Sequence, residues 1–382
     1  MRNGLKFIAI AYDLHIRHAA EIFSGASDYV ASHRLNWQLL PLNFGFEAQL
    51  MELAGSGRLG GAIGTFASDA WLQGLTSKGV AAVNLFNFSK IESVPSVCLD
   101  DARIGAGAAR HLVEQGARNF AFIGQDHVYF NQIRRKSFSE HCPEGRYHTI
   151  HPLEPRRAQV KRLGELETPI GVLCADDRIA RELCNEAKTL GMDSGSDLLI
   201  IGIGNEPAES TFAGLGLTSF DIPARKMGYA AARQMDALFR PGTQELPRRQ
   251  NFDAILVPRE STLSSPQARL AERALAYISE HMMWHELDVA YLCRQLGVSR
   301  RALELSTRQQ FKKSPHQILS EARLKRAKEQ LLQTNHAIGK VGEACGYPEP
   351  HHFSAWFKKR TGVAPKCYRL SAREKDSAPF LK

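Results

Sequence analysis

The chain has 382 residues, of which 43% are hydrophobic and 23% are charged, proportions that are typical of globular proteins. This length exceeds one ordinary core, so we expect two or three compact units. No apolar run approaches the roughly 20 residues of a membrane-spanning helix. The apolar stretch near the N-terminus is interrupted by Asp13 and His15, which favours a first strand over a secretion signal. The seven cysteines form no C-x-x-C pair, which favours reduced thiols in the cytoplasm.

The basic charge is concentrated in the last third of the chain. From Gln267 onward there are 21 Lys and Arg residues against 11 Asp and Glu, whereas the preceding residues hold 28 and 29. Such a localised excess is typical of proteins that bind nucleic acid, because Lys and Arg displace its counterions. A basic solvated surface would have the same composition, so charge alone leaves both interpretations open.

The first part of the chain alternates short apolar runs with amphipathic stretches. The predicted strands are Lys6–Ala11, Trp37–Leu42, Ala62–Thr65, Val80–Leu85, Val94–Leu99, Phe120–Ile123, Tyr147–Ile150, Ile170–Cys174 and Leu198–Ile201. The predicted helices between them include Ile104–Gln115, Ile179–Leu190 and Ala224–Phe239. This alternation predicts parallel sheets with helices on both faces, and the number of strands predicts two α/β lobes.

The segment Leu256–Gln267 is rich in Ser and Pro, and after it the pattern is helical throughout. We therefore predict a two-lobed domain at residues 1–258, a linker at 259–267 and an all-α domain at 268–382.

The helical domain begins with a helix-turn-helix pattern at residues 288–303. Apolar residues at helical spacing (Val289, Leu292, Leu296) predict the buried face of a first helix. Gly297 can adopt the positive φ that ends this helix, and Ser299 can cap the next. In such a motif the second helix lies in the major groove of DNA. The residues that this helix exposes in its first turns are Arg300, Arg301 and Glu304.

About fifty residues later the pattern recurs, with Gly346 at the turn and a second helix that carries Lys358 and Lys359, which we also predict to contact DNA. We assign the neighbouring side chains to the core rather than to base stacking; they are His352, Phe353, Trp356 and Phe357. A helix that begins at Pro315 joins the two motifs, and two reading helices about 34 Å apart would fit successive major-groove windows. A single helix-turn-helix pattern is also frequent in proteins that do not bind DNA. Two such patterns in tandem, together with the excess of basic residues, favour DNA binding.

Residues 269–370 resemble the AraC-type DNA-binding domain. The matching pieces are GVSRRALE, ARLKRA in the joining helix, the turn at Gly346 and Tyr347, and FKKRTGVAPKCYR. The resemblance implies two recognition helices, whose DNA-contacting residues are Arg300, Arg301 and Glu304 on the first, and Pro350 and His351 on the second.

The chain departs from this family at three positions. Thr307 stands where the family usually has phenylalanine, and Leu305 and Ala355 stand where an arginine often contacts DNA. These departures leave the operator sequence open.

Three segments before the linker resemble the periplasmic-binding-protein-like sensor of LacI-type repressors. They are VCLDDARIGAGAARHLVEQGARNFAFIG, PIGVLCADDRIARELCNEAKTLGM with DLLIIGIGNEP, and GLTSFDIPARKMGYAAARQM. LacI-type repressors carry their DNA-binding domain first. A sensor followed by an AraC-type domain resembles the xylose-operon regulators, as do AYD at Ala11–Asp13 and GIGNEP near Gly202.

In that sensor fold a ligand binds between the lobes, at the carboxyl ends of strands. The resemblance implies the ligand contacts Asp13, Arg134, Asp176, Asp177 and Asn205. Carboxylates, amides and guanidinium groups form paired hydrogen bonds with vicinal hydroxyls, so a sugar is implied. Xylose is one candidate, although Gly204 replaces an aspartate that commonly binds a hydroxyl. Alternatively, either aspartate at 176 and 177 caps a helix, and Arg134 is a solvated charge.

No P-loop, H-E-x-x-H or G-x-S-x-G motif is present, so we predict neither an enzyme nor a cofactor. His281 and His285 are four residues apart with no apparent third ligand, so we also predict no metal site. We predict a cytoplasmic, sequence-specific DNA-binding regulator, an activator of a carbohydrate-use operon that responds to a sugar. Its expected partners are operator DNA, the effector, RNA polymerase and a second copy of the chain.

The sequence leaves two alternatives open. In the first, the chain is a small-molecule-binding protein or enzyme whose basic tail serves another polyanion. In the second, it binds DNA without an effector, and its lobes serve only for dimerisation.

Overall fold

The computed structural model describes residues 5–11, 17–42, 46–212, 215–240, 246–263, 266–334 and 336–370. The chain divides into two compact units, Met1–Leu263 and Ser264–Lys382. The first unit contains two sheets with helices, and the described part of the second is helical, which confirms the predicted fold class. Within the described ranges, no helix is both long enough and apolar enough to span a membrane.

Two six-stranded sheets form the first unit. The strands are β1 (Lys6–Ala11), β2 (Trp37–Leu42), β3 (Leu59–Gly64), β4 (Ala81–Leu85), β5 (Ser96–Leu99), β6 (Asn119–Ile123), β7 (Tyr147–Thr149), β8 (Ile170–Cys174), β9 (Leu198–Ile203), β10 (Thr218–Asp221), β11 (Arg249–Phe252) and β12 (Ile255–Val257). The helices are α1 (Arg17–Ser32), α2 (Phe46–Gly55), α3 (Asp69–Thr76), α4 (Asp101–Glu114), α5 (Tyr129–His141), α6 (Arg156–Leu163), α7 (Asp177–Thr189), α8 (Pro207–Phe212) and α9 (Ala224–Phe239).

The first sheet has the order β11-β5-β4-β3-β1-β2 and is parallel throughout. The second has the order β12-β10-β9-β8-β6-β7, and its β10–β12 pair is antiparallel. Every residue of β6, β8 and β9 is buried, as expected for central parallel strands that are covered by helices on both faces. The chain passes between the sheets after β5, after β10 and after β11, so three connections join the two lobes.

Helices α1 and α9 pack in unusually close contact. A Cβ at Gly25 would lie 1.9 Å from the Arg225 carbonyl oxygen, and one at Gly228 would lie 2.0 Å from the Ile22 oxygen. Only glycine fits at both positions, because a methyl group would overlap the facing backbone. Although α9 follows a strand of the second sheet, this contact places it on the first lobe, against β4 and β5.

Each of the nine predicted strands overlaps a strand of the structure, but not every strand was predicted. The start of β3 at Leu59 was missed, since Gly60 and Gly61 have low strand propensity. The predictions also missed β10, β11 and β12, which are short; β11 (RQNF) is polar and lies at a sheet edge.

The first unit extends through Leu263, whereas residues 259–267 were predicted to form a linker. The reason is a set of hydrogen bonds that return to the sheets. The Ser261 hydroxyl donates to the Ile200 carbonyl at 2.6 Å, and the Ser261 amide donates to the Gly216 carbonyl at 2.9 Å.

His111 of α4 contacts the end of this unit, with its Nε2 2.8 Å from the Thr262 hydroxyl. Burial lowers the pKa of His111 to about 4. The unfolded chain, with an ordinary histidine pKa near 6.5, therefore binds this proton more tightly than the folded chain. We expect the free energy of unfolding to be greatest above about pH 6.5 and to fall by about 3 kcal/mol as the pH falls to about 4. Urea unfolding at several pH values measures this, and His111→Gln should remove that part of the slope. Parallel profiles for the two proteins would contradict the assignment.

The second unit is built around two hydrophobic clusters. Its helices are α10 (Pro266–His281), α11 (Val289–Leu296), α12 (Arg300–Phe311), α13 (Pro315–Gln333), α14 (Ile338–Glu343) and α15 (Pro350–Thr361), and residues 365–370 are also helical. One cluster joins α10, α11, α12 and the start of α13. The other joins the end of α13 to α14 and α15, so α13 belongs to both.

Candidate nucleic-acid interface and effector site

The first helix-turn-helix, α11 and α12, has the predicted signals. Asp288 caps α11, Gly297 ends it with a φ of 67°, and the Ser299 hydroxyl accepts from the Ala302 amide to cap α12. Leu292 and Leu303 are buried in the cluster between the two helices. The local sequence therefore determines both ends of this motif.

Helix α12 exposes one basic face. Leu303, Ser306 and Thr307 form its buried side, and the Ser306 hydroxyl donates to a carbonyl of α10. At a spacing of four and then three residues, the outer side presents Arg301, Leu305 and Arg308, all exposed. Side chains at this spacing share one helix face. Arg308 was not among the predicted DNA contacts, although its distance of seven residues from Arg301 places both side chains on one helix face.

Arg300 and Glu304 form an ion pair one helical turn apart, with Nε and Oε1 separated by 3.1 Å. The two side chains are 71% and 36% exposed, so the pair lies at the surface and contributes little to stability. Any base contact by Glu304 has to compete with this partner.

Helix α15 repeats the arrangement of α12. Gly346 takes a φ of 79° before it, and Pro350 occupies its first turn. Phe353 and Phe357 are buried, as predicted. On the outer side, exposed residues recur with the same spacing as in α12; they are His351, Ala355 and Lys358.

The prediction that His352 belongs to the core was wrong. His352 is exposed, because it lies on the side of α15 away from Phe353 and Phe357, and its ring centre is 4.2 Å from that of His351. Lys359 is exposed in the last turn of α15, where a cation is favoured by the helix dipole, so its charge has a local structural role in addition to any phosphate contact.

Arg323 of α13 connects the two motifs. Its guanidinium donates to the carbonyls of Met282, Trp284 and Leu287 at 2.9, 2.7 and 3.2 Å, all between α10 and α11. It also lies over the ring of Tyr347, in the turn of the second motif, at 5.4 Å. The side chain is buried, so these contacts couple the two motifs inside the domain.

In the first unit, loops that follow strand ends of the two lobes meet. The amides of Tyr129 and Phe130 in α5 donate to the carbonyls of Phe88 and Asn87, which follow β4, at 2.9 and 2.8 Å. His18, near the start of α1, lies 2.9 Å from Glu206, which follows β9. The carboxyl ends of strands from both lobes therefore face each other, the position at which α/β folds bind ligands.

Arg134 is 4% exposed, which excludes the solvated charge considered above. Its Nε donates to Asp101 Oδ1 at 2.8 Å, and a second nitrogen donates to the Ala175 carbonyl at 3.2 Å. Asp101 also accepts from Asn87 at 2.9 Å. Arg134 thus completes a buried network that joins the loop after β4 to the end of β8.

The two neighbouring aspartates both have partners within the protein. Asp176 caps α7 by accepting from the Ile179 amide at 2.7 Å. Asp177 accepts from the Ser219 hydroxyl at 2.6 Å and from the Glu206 amide at 2.8 Å. Burial raises the pKa of the Asp177 carboxyl to about 6.

The loop after β9 is held by the same set of residues. A Cβ at Gly202 would lie 2.1 Å from Asp177 Oδ1, and Gly204 has a φ of 130°. Asn205 donates to Asp221 at 3.0 Å and accepts from Arg259 at 2.6 Å. The ligand contacts predicted at positions 134, 176, 177 and 205 therefore gather near one another but already bond to protein groups. Asp13 lies outside the described residues.

The described ranges contain no cluster of three or more His, Cys, Asp or Glu residues suited to a metal ion. The His281 ring stacks on Tyr277 at 4.2 Å, and the His285 side chain is 65% exposed. Among the described residues, one surface cavity lies beside Lys6 and Trp37 at the amino ends of β1 and β2, and another lies beside Gln38 and Leu40 of β2. Both lie away from the strand ends that face the other lobe.

Two family models match the chain. Residues 109–262 match a periplasmic binding protein-like domain, and residues 292–371 match a helix-turn-helix domain. The chain is 28% identical to a xylose operon regulatory protein of Haemophilus influenzae over 300 residues, which cover 72% of this chain and 75% of the relative. It is 24% identical to the xylose operon regulatory protein of Escherichia coli strain K12, covering 95% of this chain and 96% of the relative.

One solved structure, titled as the xylose-binding transcription activator XylR, has the same fold. It matches with a TM-score of 0.56 at 23% identity and covers 97% of this chain and 99% of that one. The match spans both units, so the order of domains is shared as well as the fold of each. The chain therefore combines a periplasmic binding protein-like domain with a C-terminal AraC-type helix-turn-helix domain, and it is homologous to the xylose operon regulatory proteins.

Proposed function

We propose that this protein regulates a carbohydrate-use operon by inserting α12 and α15 into successive major grooves of its operator. The observation that carries the proposal is the repeated outer face, Arg301, Leu305 and Arg308 on one helix and His351, Ala355 and Lys358 on the other. Both helices present hydrogen-bond donors seven residues apart, and Arg323 connects the two motifs that contain them. Two such helices suit two successive segments of the major groove of one duplex.

We further propose that the effector is a small sugar bound where the strand ends of the two lobes meet. The relatives are named for xylose operons, and the structural neighbour is titled xylose-binding. Binding would favour one arrangement of the lobes and shift DNA affinity, and a coupling of about 1–3 kcal/mol would suffice for a 5–150-fold response. We propose an activator that acts in the cytoplasm as a dimer, contacts RNA polymerase and has no catalytic role.

A second candidate is DNA binding without an effector, with the lobes used for dimerisation. It is favoured by one observation: Arg134, Asp177 and Asn205 already satisfy their hydrogen bonds within the protein. A ligand would have to add to this network or displace part of it.

The DNA contacts can be tested on the full chain with a duplex that it selects from a random pool. Replacing Arg301 or Glu304 by Ala should cost about 1–3 kcal/mol of binding free energy and relax the preference at one base pair, because arginine pairs with guanine and glutamate accepts from cytosine. Lys358→Ala should weaken all sequences alike and reduce the salt slope by about one counterion, as expected for a phosphate contact. An Arg301 variant that lost affinity equally for every sequence would contradict the base assignment.

The effector is tested by thermal shift with pentoses, hexoses and sugar acids. A bound sugar at a hundredfold excess over its Kd should stabilise the first unit by about 2.7 kcal/mol. The same sugar should change the affinity for the selected duplex, and the shift should shrink in Asp177→Asn. DNA binding that persists without any response to these sugars would favour the second candidate.

A further inference from the structure

Leu305 is an exposed apolar side chain on the face of α12 that carries the arginines. It is 59% exposed and lies one turn from Arg301 and three residues from Arg308. A single exposed leucine is ordinary on a protein surface. Leu305 differs from such residues in its position. Arg301 and Arg308 lie on either side of it on the same helix face, so a polyanion that binds to these two cations would also contact Leu305.

The second reading helix has the same pattern. Ala355 is exposed between His351 and Lys358, at the position in α15 that corresponds to Leu305 in α12. Each outer face therefore has polar or charged side chains at its ends and an apolar side chain in the middle. Neither apolar side chain can make an ion pair or a hydrogen bond, so within an interface the favourable partner of each is an apolar group.

In the major groove only one base offers such a group. Guanine, cytosine and adenine present hydrogen-bonding atoms, and thymine adds a C5-methyl group. A leucine pressed against any other base edge would leave a donor or acceptor without a partner, which is unfavourable. We propose that Leu305 reads a thymine through its C5-methyl group, between the base pairs that Arg301 and Arg308 approach. The inference rests on the proposed DNA binding and adds a specificity determinant to it.

The test replaces each thymine in turn by deoxyuridine in the duplex that the full wild-type chain selects from a random pool. Deoxyuridine keeps every hydrogen-bonding atom and removes only the methyl group. At one thymine we expect the Kd to rise about fourfold, the factor that corresponds to ~0.8 kcal/mol for a buried CH₂-sized group. In Leu305→Ala the same replacement should have no effect, because the methyl has lost its partner.

Leu332→Ala is the matched control, since Leu332 is 47% exposed on α13, which is neither of the two proposed reading helices, and it should retain the wild-type response. Alanine at an exposed helix position does not threaten folding. Leu305→Arg should shift the selected base from thymine toward guanine, which an arginine can bind with two hydrogen bonds.

Three outcomes would overturn the inference. One is wild-type binding that tolerates deoxyuridine at every position, and another is a thymine preference that survives in Leu305→Ala. The third is a Leu305→Ala variant with unchanged DNA binding but altered self-association, which would place the leucine in a protein contact. A wild-type chain that selects no duplex would overturn the proposed function itself, and is thereby distinguished from these three.

Discussion

Arg134→Met should lower the free energy of unfolding of the N-terminal unit by about 3–5 kcal/mol, because it leaves the Asp101 carboxylate buried without its cation. The side chains of Arg134 and Asp101 are 5% and 2% exposed, so water cannot replace the lost partner. The Ala175 carbonyl also loses a donor. Urea unfolding and amide hydrogen exchange in α4 and α5 measure the effect.

The neighbouring residue provides the control. Arg135 pairs with Asp126, but these side chains are 34% and 51% exposed, so Arg135→Met should cost less than about 1 kcal/mol. Adding Asp101→Asn to Arg134→Met should recover part of the loss, since the unpaired charge is removed. Equal costs for the two arginine variants would contradict the buried network.

The expected loss of stability matters for any test of Arg134 as a ligand contact. A variant at position 134 that no longer responds to sugar has also lost a buried ion pair. Its sugar-induced shift should therefore be compared with that of the double variant, whose charge balance is restored.

Arg323→Met should destabilise the C-terminal unit by about 3 kcal/mol, because three backbone carbonyls lose a charged donor. The loss should also separate the two helix-turn-helix motifs, so that amides of α11 exchange faster than before while α15 retains more of its protection. The affinity for the selected duplex should fall, since the two reading helices no longer keep a fixed relation. Hydrogen exchange by mass spectrometry and DNA-binding titration measure both effects.

Arg326→Met is the matched control on the same helix. Its guanidinium is half-buried and donates to one carbonyl, that of Ala344, at 3.0 Å. We expect a cost of about 1 kcal/mol, the ordinary value for one hydrogen bond, and no separation of the motifs. If both substitutions cost the same, Arg323 would not be the coupling residue.

The DNA-binding unit was predictable from sequence because its signals are local. Gly297 and Ser299 end one helix and begin the next within three residues, and the spacing of apolar residues marks the buried faces. The prediction that His352 is a core residue was wrong, although it lies among aromatic residues. The packing of α14 against α15 decides which side of α15 is buried, and His352 lies on the other side.

In the first unit, the sequence determined the alternation of strands and helices. It also placed polar residues directly after the strands. It did not determine what those residues do. Arg134 bonds to Asp101, Asp177 to Ser219 and Asn205 to Arg259, across 33, 42 and 54 residues of chain. The roles predicted for them as ligand contacts stay predictions.

The physical reason for this difference is the range of the forces involved. Helix caps, turns and periodic apolar faces depend on residues within one or two turns, so the sequence by itself determined α11, α12, α15 and the main strands. Burial of a charge is decided only when distant segments pack and remove water from it. The tertiary structure alone therefore decided that Arg134 and Arg323 are internal connectors, whereas Arg301, Leu305 and Arg308 remain at the surface.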